Sequence, residues 1–161
     1  LQLTRSEPLS EFHPTLLIIQ TATEITDPLN YARYWDLGSN PAQPRSILET
    51  SGCYDLQTPH RTATAMAVAG RIPQVMPISL EVPEYLYSGI SPLEAPVSGN
   101  LGDGGTSGFI QWCGALLENQ NVGHSVIFQR PEAINASMRF LESALFEATT
   151  TIERDPSAKV R

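Results

Sequence analysis

A chain of 161 residues, 41% of them hydrophobic, is long enough to bury one core and short for more than one ordinary domain. The 10 Lys and Arg against 17 Asp and Glu leave a formal charge of -7, opposite to what a phosphate-backbone binder needs. No apolar run reaches the ~20 residues that cross a bilayer, so neither nucleic acid nor a membrane span is expected.

The chain opens Leu-Gln-Leu-Thr-Arg-Ser-Glu, without Met and without the basic-then-apolar pattern of a signal peptide. A start of this kind is expected of a chain that has been cut, processed or excerpted. Residues 13–20, His-Pro-Thr-Leu-Leu-Ile-Ile-Gln, form a short, continuous apolar run. Its length and branched side chains predict a strand buried on both faces. Asp27 followed by Pro28 predicts an N-cap and first helical position for a helix over 28–35. Residues 45–50 predict a second strand, ending at Ser51 and Gly52. Thr58-Pro59-His60 then opens an Ala-rich helix over 61–69, closed by Gly70.

Between residues 72 and 105, Pro73, Pro77, Pro83, Pro92 and Pro96 interrupt any periodic pattern. An irregular stretch of that length inside one domain is expected to be an insertion or a lid. Its Tyr85, Leu86, Tyr87 and Ile90 suit either an apolar pocket cover or a surface insertion packed on its own aromatics. Residues 109–113 predict a third strand, and Pro131 starts a final helix with Ile134, Met138, Phe140, Leu141 and Leu145 at helical spacing. The tail from Thr149 is expected to fray. Strand, helix, strand, helix, strand, helix is an α/β pattern, with parallel strands and working residues on the loops at their carboxyl ends. Two cysteines, Cys53 and Cys113, cannot build a disulfide scaffold or a thiolate zinc site. Their apolar neighbours predict buried free thiols, with a single disulfide as the alternative.

Two loops follow predicted strands: one carries Asp55, the other His124. A carboxylate there can accept the Nδ1 proton of the imidazole, fixing the tautomer and supporting the charged ring when Nε2 acts as a base. Residues 52–63, Gly-Cys-Tyr-Asp-Leu-Gln-Thr-Pro-His-Arg-Thr-Ala, resemble the acid loop of α/β-hydrolases, and Gly123-His124-Ser125-Val126-Ile127-Phe128 resembles that family's His loop. The order, acid then His, matches the family order of nucleophile, acid, His. The run at 13–20 looks like the strand that precedes the acid strand in that fold. The resemblance spans most of 13–147 and implies the C-terminal part of a mostly parallel α/β-hydrolase sheet flanked by helices, covering residues 1–161.

One departure from that family is large. No Gly-x-Ser-x-Gly stands in the chain, and the nearest string, Gly104-Gly105-Thr106-Ser107-Gly108, lacks the spacing and reads as a flexible loop. The resemblance therefore implies an esterase or lipase fragment that supplies Asp55 and His124. The Ser and the oxyanion amides would lie on a missing N-terminal half or a separate chain. The implied partners are that half and a small ester, with no cofactor. The alternative is a non-catalytic binding module on the same sheet. Glu24 and Asp27 compete for the acid role, since some members place the acid after an earlier strand. His60 reads as a cleft or surface residue and His13 as structural. No metal-ligand spacing is present. Asn135-Ala136-Ser137 fits a glycosylation sequon but lies within the predicted last helix.

Overall fold

A computed structural model describes residues 13–37, 45–55, 57–102, 104–113 and 123–154. The first seven residues, Leu56, the Asn121-Val122 entry to the His loop and the tail beyond Arg154 lie outside the described residues. In chain order the elements are α1 (Pro14–Thr23), α2 (Leu29–Ala32), α3 (Tyr34–Leu37), β1 (Ile47–Gly52), α4 (His60–Ala69) and α5 (Pro83–Tyr87). They continue with β2 (Val97–Ser98), β3 (Ser107–Trp112), α6 (Val126–Gln129), α7 (Pro131–Phe146) and β4 (Thr151–Ile152). The fold is mixed α/β. β1 pairs in parallel with β3, from Ile47 opposite Ser107 to Gly52 opposite Trp112, while β2 and β4 pair antiparallel. Among the described helices none is long and apolar enough to cross a membrane.

The alternation of side chains along β3 divides the core. Ile110 and Trp112 face Val126, Ala133, Ala136 and Ile152, with Leu48 of β1 against them. Phe109 faces the other way, onto Ala67, Ile72 and Tyr85, with Ile47 beside it. Helices thus cover both faces of the parallel pair, as buried parallel strands require. Gly108 on β3 admits this packing: a Cβ there would stand 2.6 Å from Val75 Cγ2 and 2.8 Å from Ile152 Cδ1.

The predicted strand at 13–20 is instead helix α1. Pro14 takes the first helical position, and the His13 ring accepts the Thr15 amide at 3.2 Å as N-cap. A helix satisfies its own backbone groups locally, whereas a strand needs a neighbour. None of its residues is buried, and Ile18 is 70% exposed. Asp27 caps the next turn, its Oδ1 accepting the Leu29 amide at 2.9 Å, but the predicted helix over 28–35 breaks at Arg33 into α2 and α3. The expected free thiols are also corrected: Cys53 and Cys113 form a disulfide, with Cα atoms 4.9 Å apart. They follow the last paired residues of β1 and β3, so the parallel register itself brings them together.

The expected fraying from Thr149 does not occur as far as Arg154. β4 pairs with β2, Ile152 is fully buried, and the Arg154 guanidinium donates to the carbonyls of Val75, Pro77 and Gln111 at 2.6–3.1 Å. Arg154 and Arg130 both stack on Trp112, at 5.2 and 5.4 Å from its ring centre. Burial, then the Arg130 charge, brings the Arg154 pKa down to about 10. The irregular stretch 72–105 supplies core residues of its own. Val75 donates its amide to Phe109 and Phe109 returns one to Pro73, so residues 73–75 run parallel along β3 on the side away from β1.

Two measurements test this core. The disulfide closes a separation of 60 residues, and cross-links of that length stabilise by about 2–4 kcal/mol. Reduction, or Cys113→Ala, should lower the urea midpoint accordingly, and an unchanged midpoint would show that the cross-link does not constrain the fold. Glu49 on β1 is half-buried with its Oε2 enclosed and unpartnered, and burial pushes its carboxyl up to about 8 from 4.5. The unfolded chain releases that proton near 4.5 while the folded chain keeps it, so stability drops as pH rises from 4.5 to 8. Glu49→Gln should therefore stabilise the protein more at pH 8 than at pH 5, by thermal melting.

Candidate active site

The site grows from the carboxyl end of β1. Past Gly52 and Cys53 the chain turns through Tyr54, whose φ of +65° lies in the left-handed region that a non-glycine residue enters at a cost. That turn presents the Asp55 carboxylate to the chain following it. Its Oδ1 accepts the backbone amides of Gln57 at 2.8 Å and Thr58 at 2.9 Å. Its Oδ2 meets His124 Nδ1 at 3.0 Å, across 69 positions of sequence.

Two glycines make the approach possible. A Cβ on Gly52 would collide with the Gly123 carbonyl, and one on Gly123 would stand 2.7 Å from the Cys53 carbonyl oxygen and 2.9 Å from the Asp55 amide. The two backbones cross in contact, and only residues without a side chain fit at the crossing. The Cys53–Cys113 bridge fixes β1 to β3 immediately before the turn, and the Cys53 amide donates to the Trp112 carbonyl at 2.9 Å. Sequence reasoning held the disulfide only as the alternative to free thiols and did not single out the glycine pair. The shared Gly-Cys and Gly-His context was the only local sign, and it carries no information about which residues meet.

Burial alone would raise the Asp55 carboxyl. The Thr58 and Gln57 amides and the His124 ring outweigh it, holding the group below its usual 3.8. An ionised carboxylate is an acceptor only, so Nδ1 carries the imidazole proton and Nε2 keeps its lone pair. The acid side chain is 9% exposed and the His124 side chain 40%. The carboxylate is therefore inside and its imidazole partner outside, an arrangement in which the ring can take a proton from a group that reaches it from solvent.

The other candidates are placed elsewhere. Glu24 accepts from Asn30 at 3.2 Å and Asp27 caps α2, and neither is hydrogen-bonded to His124. His60 opens α4 and His13 caps α1. Ser107 is not in a flexible loop: it is fully buried in the first position of β3, its backbone bonded to Asn100. Trp112 ends the same strand, so at about 3.3 Å per residue Ser107 stands roughly 17 Å below the end that carries the site. Asn135, Ala136 and Ser137 lie inside α7. Among the described residues no group of three or more His, Cys, Asp or Glu is arranged to hold a metal ion.

In Asp55→Asn the Oδ1 position still has to accept the two amides, so the NH2 group faces His124. Nδ1 then becomes the acceptor, and the ring proton should move to Nε2. Imidazole nitrogen chemical shifts read this directly: an unchanged Nδ1–H tautomer in the variant would show that Asp55 does not set it. Comparison of the chain with protein-family models, with curated proteins and with solved structures finds no match to any of them.

Proposed function

We propose that this chain is the acid-and-histidine part of a serine-type carboxylic-ester hydrolase of the α/β-hydrolase kind, Asp55 and His124 serving a Ser supplied by a nucleophile-bearing half or separate chain. The observation that carries the reading is the 3.0 Å contact of Asp55 Oδ2 with His124 Nδ1, which leaves Nε2 as the basic nitrogen. Three features support it. Asp55 follows β1 at the carboxyl end of a parallel pair and His124 meets it there, where α/β sheets gather their working groups. The acid precedes the His in the chain, as in the hydrolase order. The acid is buried and hydrogen-bonded while the imidazole is open to an incoming group.

On this reading the Ser hydroxyl attacks the ester carbonyl carbon as His124 Nε2 takes its proton. Asp55 supports the imidazolium that forms. The tetrahedral intermediate collapses, the C–O bond to the alcohol breaks, and His124 returns the proton to the leaving alkoxide. Water then attacks the acyl-enzyme with His124 again as base, releasing the carboxylic acid and restoring the Ser. The rest of the sheet belongs to the nucleophile-bearing half. Among the described residues β1 pairs with β3 alone, leaving a strand edge that such a half would cover.

The experiment is Asp55→Asn and His124→Ala in the complete protein, assayed on p-nitrophenyl esters. Loss of the acid should lower turnover by about 10⁴, and loss of the His at least as much. Activity within a few-fold of the unsubstituted protein in both variants would remove the assignment.

A further inference from the structure

A groove of about 720 Å³ runs between α4 and residues 80–84, a size typical of small-molecule sites. Neither Asp55 nor His124 lines it. Most of its wall is apolar, with Val68 on one side and Leu80 and Val82 on the other. Two of its polar side chains are buried: Thr64 from α4 and Gln111 from β3. They are 8% and 3% exposed, and each holds an atom without a partner, the Thr64 hydroxyl and the Gln111 amide nitrogen.

The orientation of the Gln111 amide is fixed by its neighbours. Its Oε1 accepts from Gln74 Nε2 at 2.9 Å and from the Leu80 amide at 3.2 Å, so the NH2 group is the one left over. A buried donor without an acceptor costs about 1–3 kcal/mol. Native interiors rarely keep such groups unless something else answers them. The wall therefore asks for a hydrogen-bond acceptor. The rim decides its charge: Arg61 is set against Glu81 and Glu84. That balance gives no attraction for an anion, and the chain as a whole is at -7.

We propose that the groove binds an uncharged, largely apolar small molecule bearing a carbonyl oxygen. The carbonyl accepts from the Thr64 hydroxyl, which turns toward the groove by rotation of its own side chain, and from the Gln111 NH2 group, whose Oε1 keeps its bonds to Gln74 and Leu80. The hydrocarbon part lies against Val68, Leu80 and Val82. The site needs neither Asp55 nor His124 and stands apart from the hydrolase reading.

Acetophenone is the probe, with ethylbenzene as its counterpart lacking the oxygen and benzoate as its charged counterpart, each titrated by ligand-observed NMR. Acetophenone should bind saturably, and about fivefold or more tightly than either counterpart, the worth of one net hydrogen bond. Thr64→Val should weaken acetophenone about threefold or more while leaving ethylbenzene unchanged. Ala65→Trp, on an exposed position of the groove wall, should abolish binding. Asp55→Asn should bind acetophenone like the unsubstituted protein, so loss of ester hydrolysis and loss of this site are read separately. The proposal is overturned if acetophenone does not saturate, if ethylbenzene or benzoate binds equally well, if Thr64→Val leaves acetophenone unaffected, or if Ala65→Trp still binds.

Discussion

The parallel pairing of β1 with β3 is the contact on which the rest of the molecule depends. It joins segments far apart in the chain, so the intervening residues lose loop entropy before any contact rewards them. A two-stranded ribbon is marginal by itself in water. It persists here because both faces are covered: Ile110 and Trp112 by α6, α7 and β4, and Phe109 by α4 and the Ile72–Tyr85 packing. The Cys53–Cys113 bond then locks the carboxyl end of the pair. Asp55 leaves from that end on β1 and Gln111 lies near it on β3, so one register sets both the acid of the candidate triad and the polar wall of the groove.

What the sequence made legible was local. Pro131 at the first turn and the Ala-rich run ending at Gly70 identified α7 and α4 because capping and propensity act within a few residues. Asp55 and His124 were legible from the short words around them, and the structure brings their side chains into contact. The misreadings share a different cause. At 13–20 an apolar run of that length suits a buried strand or a helix equally well, and the choice turned on His13 and Pro14 at its start. The tail seemed free because its partners, Val97 and the carbonyls of Val75, Pro77 and Gln111, lie far back in the chain. The same holds for the disulfide, since apolar neighbours fit a buried thiol and a buried bridge alike. Only the register of two distant strands separates the two.

The face of α7 turned to the core is its small one. Ala133, Ala136 and Ser143 are buried, while Met138, Leu141 and Leu145 are exposed. Of the apolar residues that identify the helix, Phe140 packs against the core while Met138, Leu141 and Leu145 do not. Small residues let α7 approach Ile110 and Trp112 closely, leaving those three as an outer stripe. α1 has the same character without any buried side, with Leu17, Ile18 and Ile19 open. Single exposed apolar residues are ordinary, but rows of them on two helices are less so. A fold completed by another body, as the proposed hydrolase requires, would account for both rows and for the edge of β1 that has no partner strand among the described residues.

The same completion bears on the chemistry of the Asp55–His124 couple. A carboxylate–imidazole contact at 3.0 Å becomes a charge pair once the ring takes a second proton, and such a pair is worth little where water surrounds it and much more where water is excluded. Asp55 already has the dry side of that arrangement, with two amides on Oδ1 and its side chain 9% exposed. His124, at 40%, does not. Closing a surface over the imidazole would strengthen the attraction that stabilises its charged form just as Nε2 takes a proton. It would also bring the group that gives the proton. On the proposed reading, the strength of the base and the supply of its reaction partner would then come from one event.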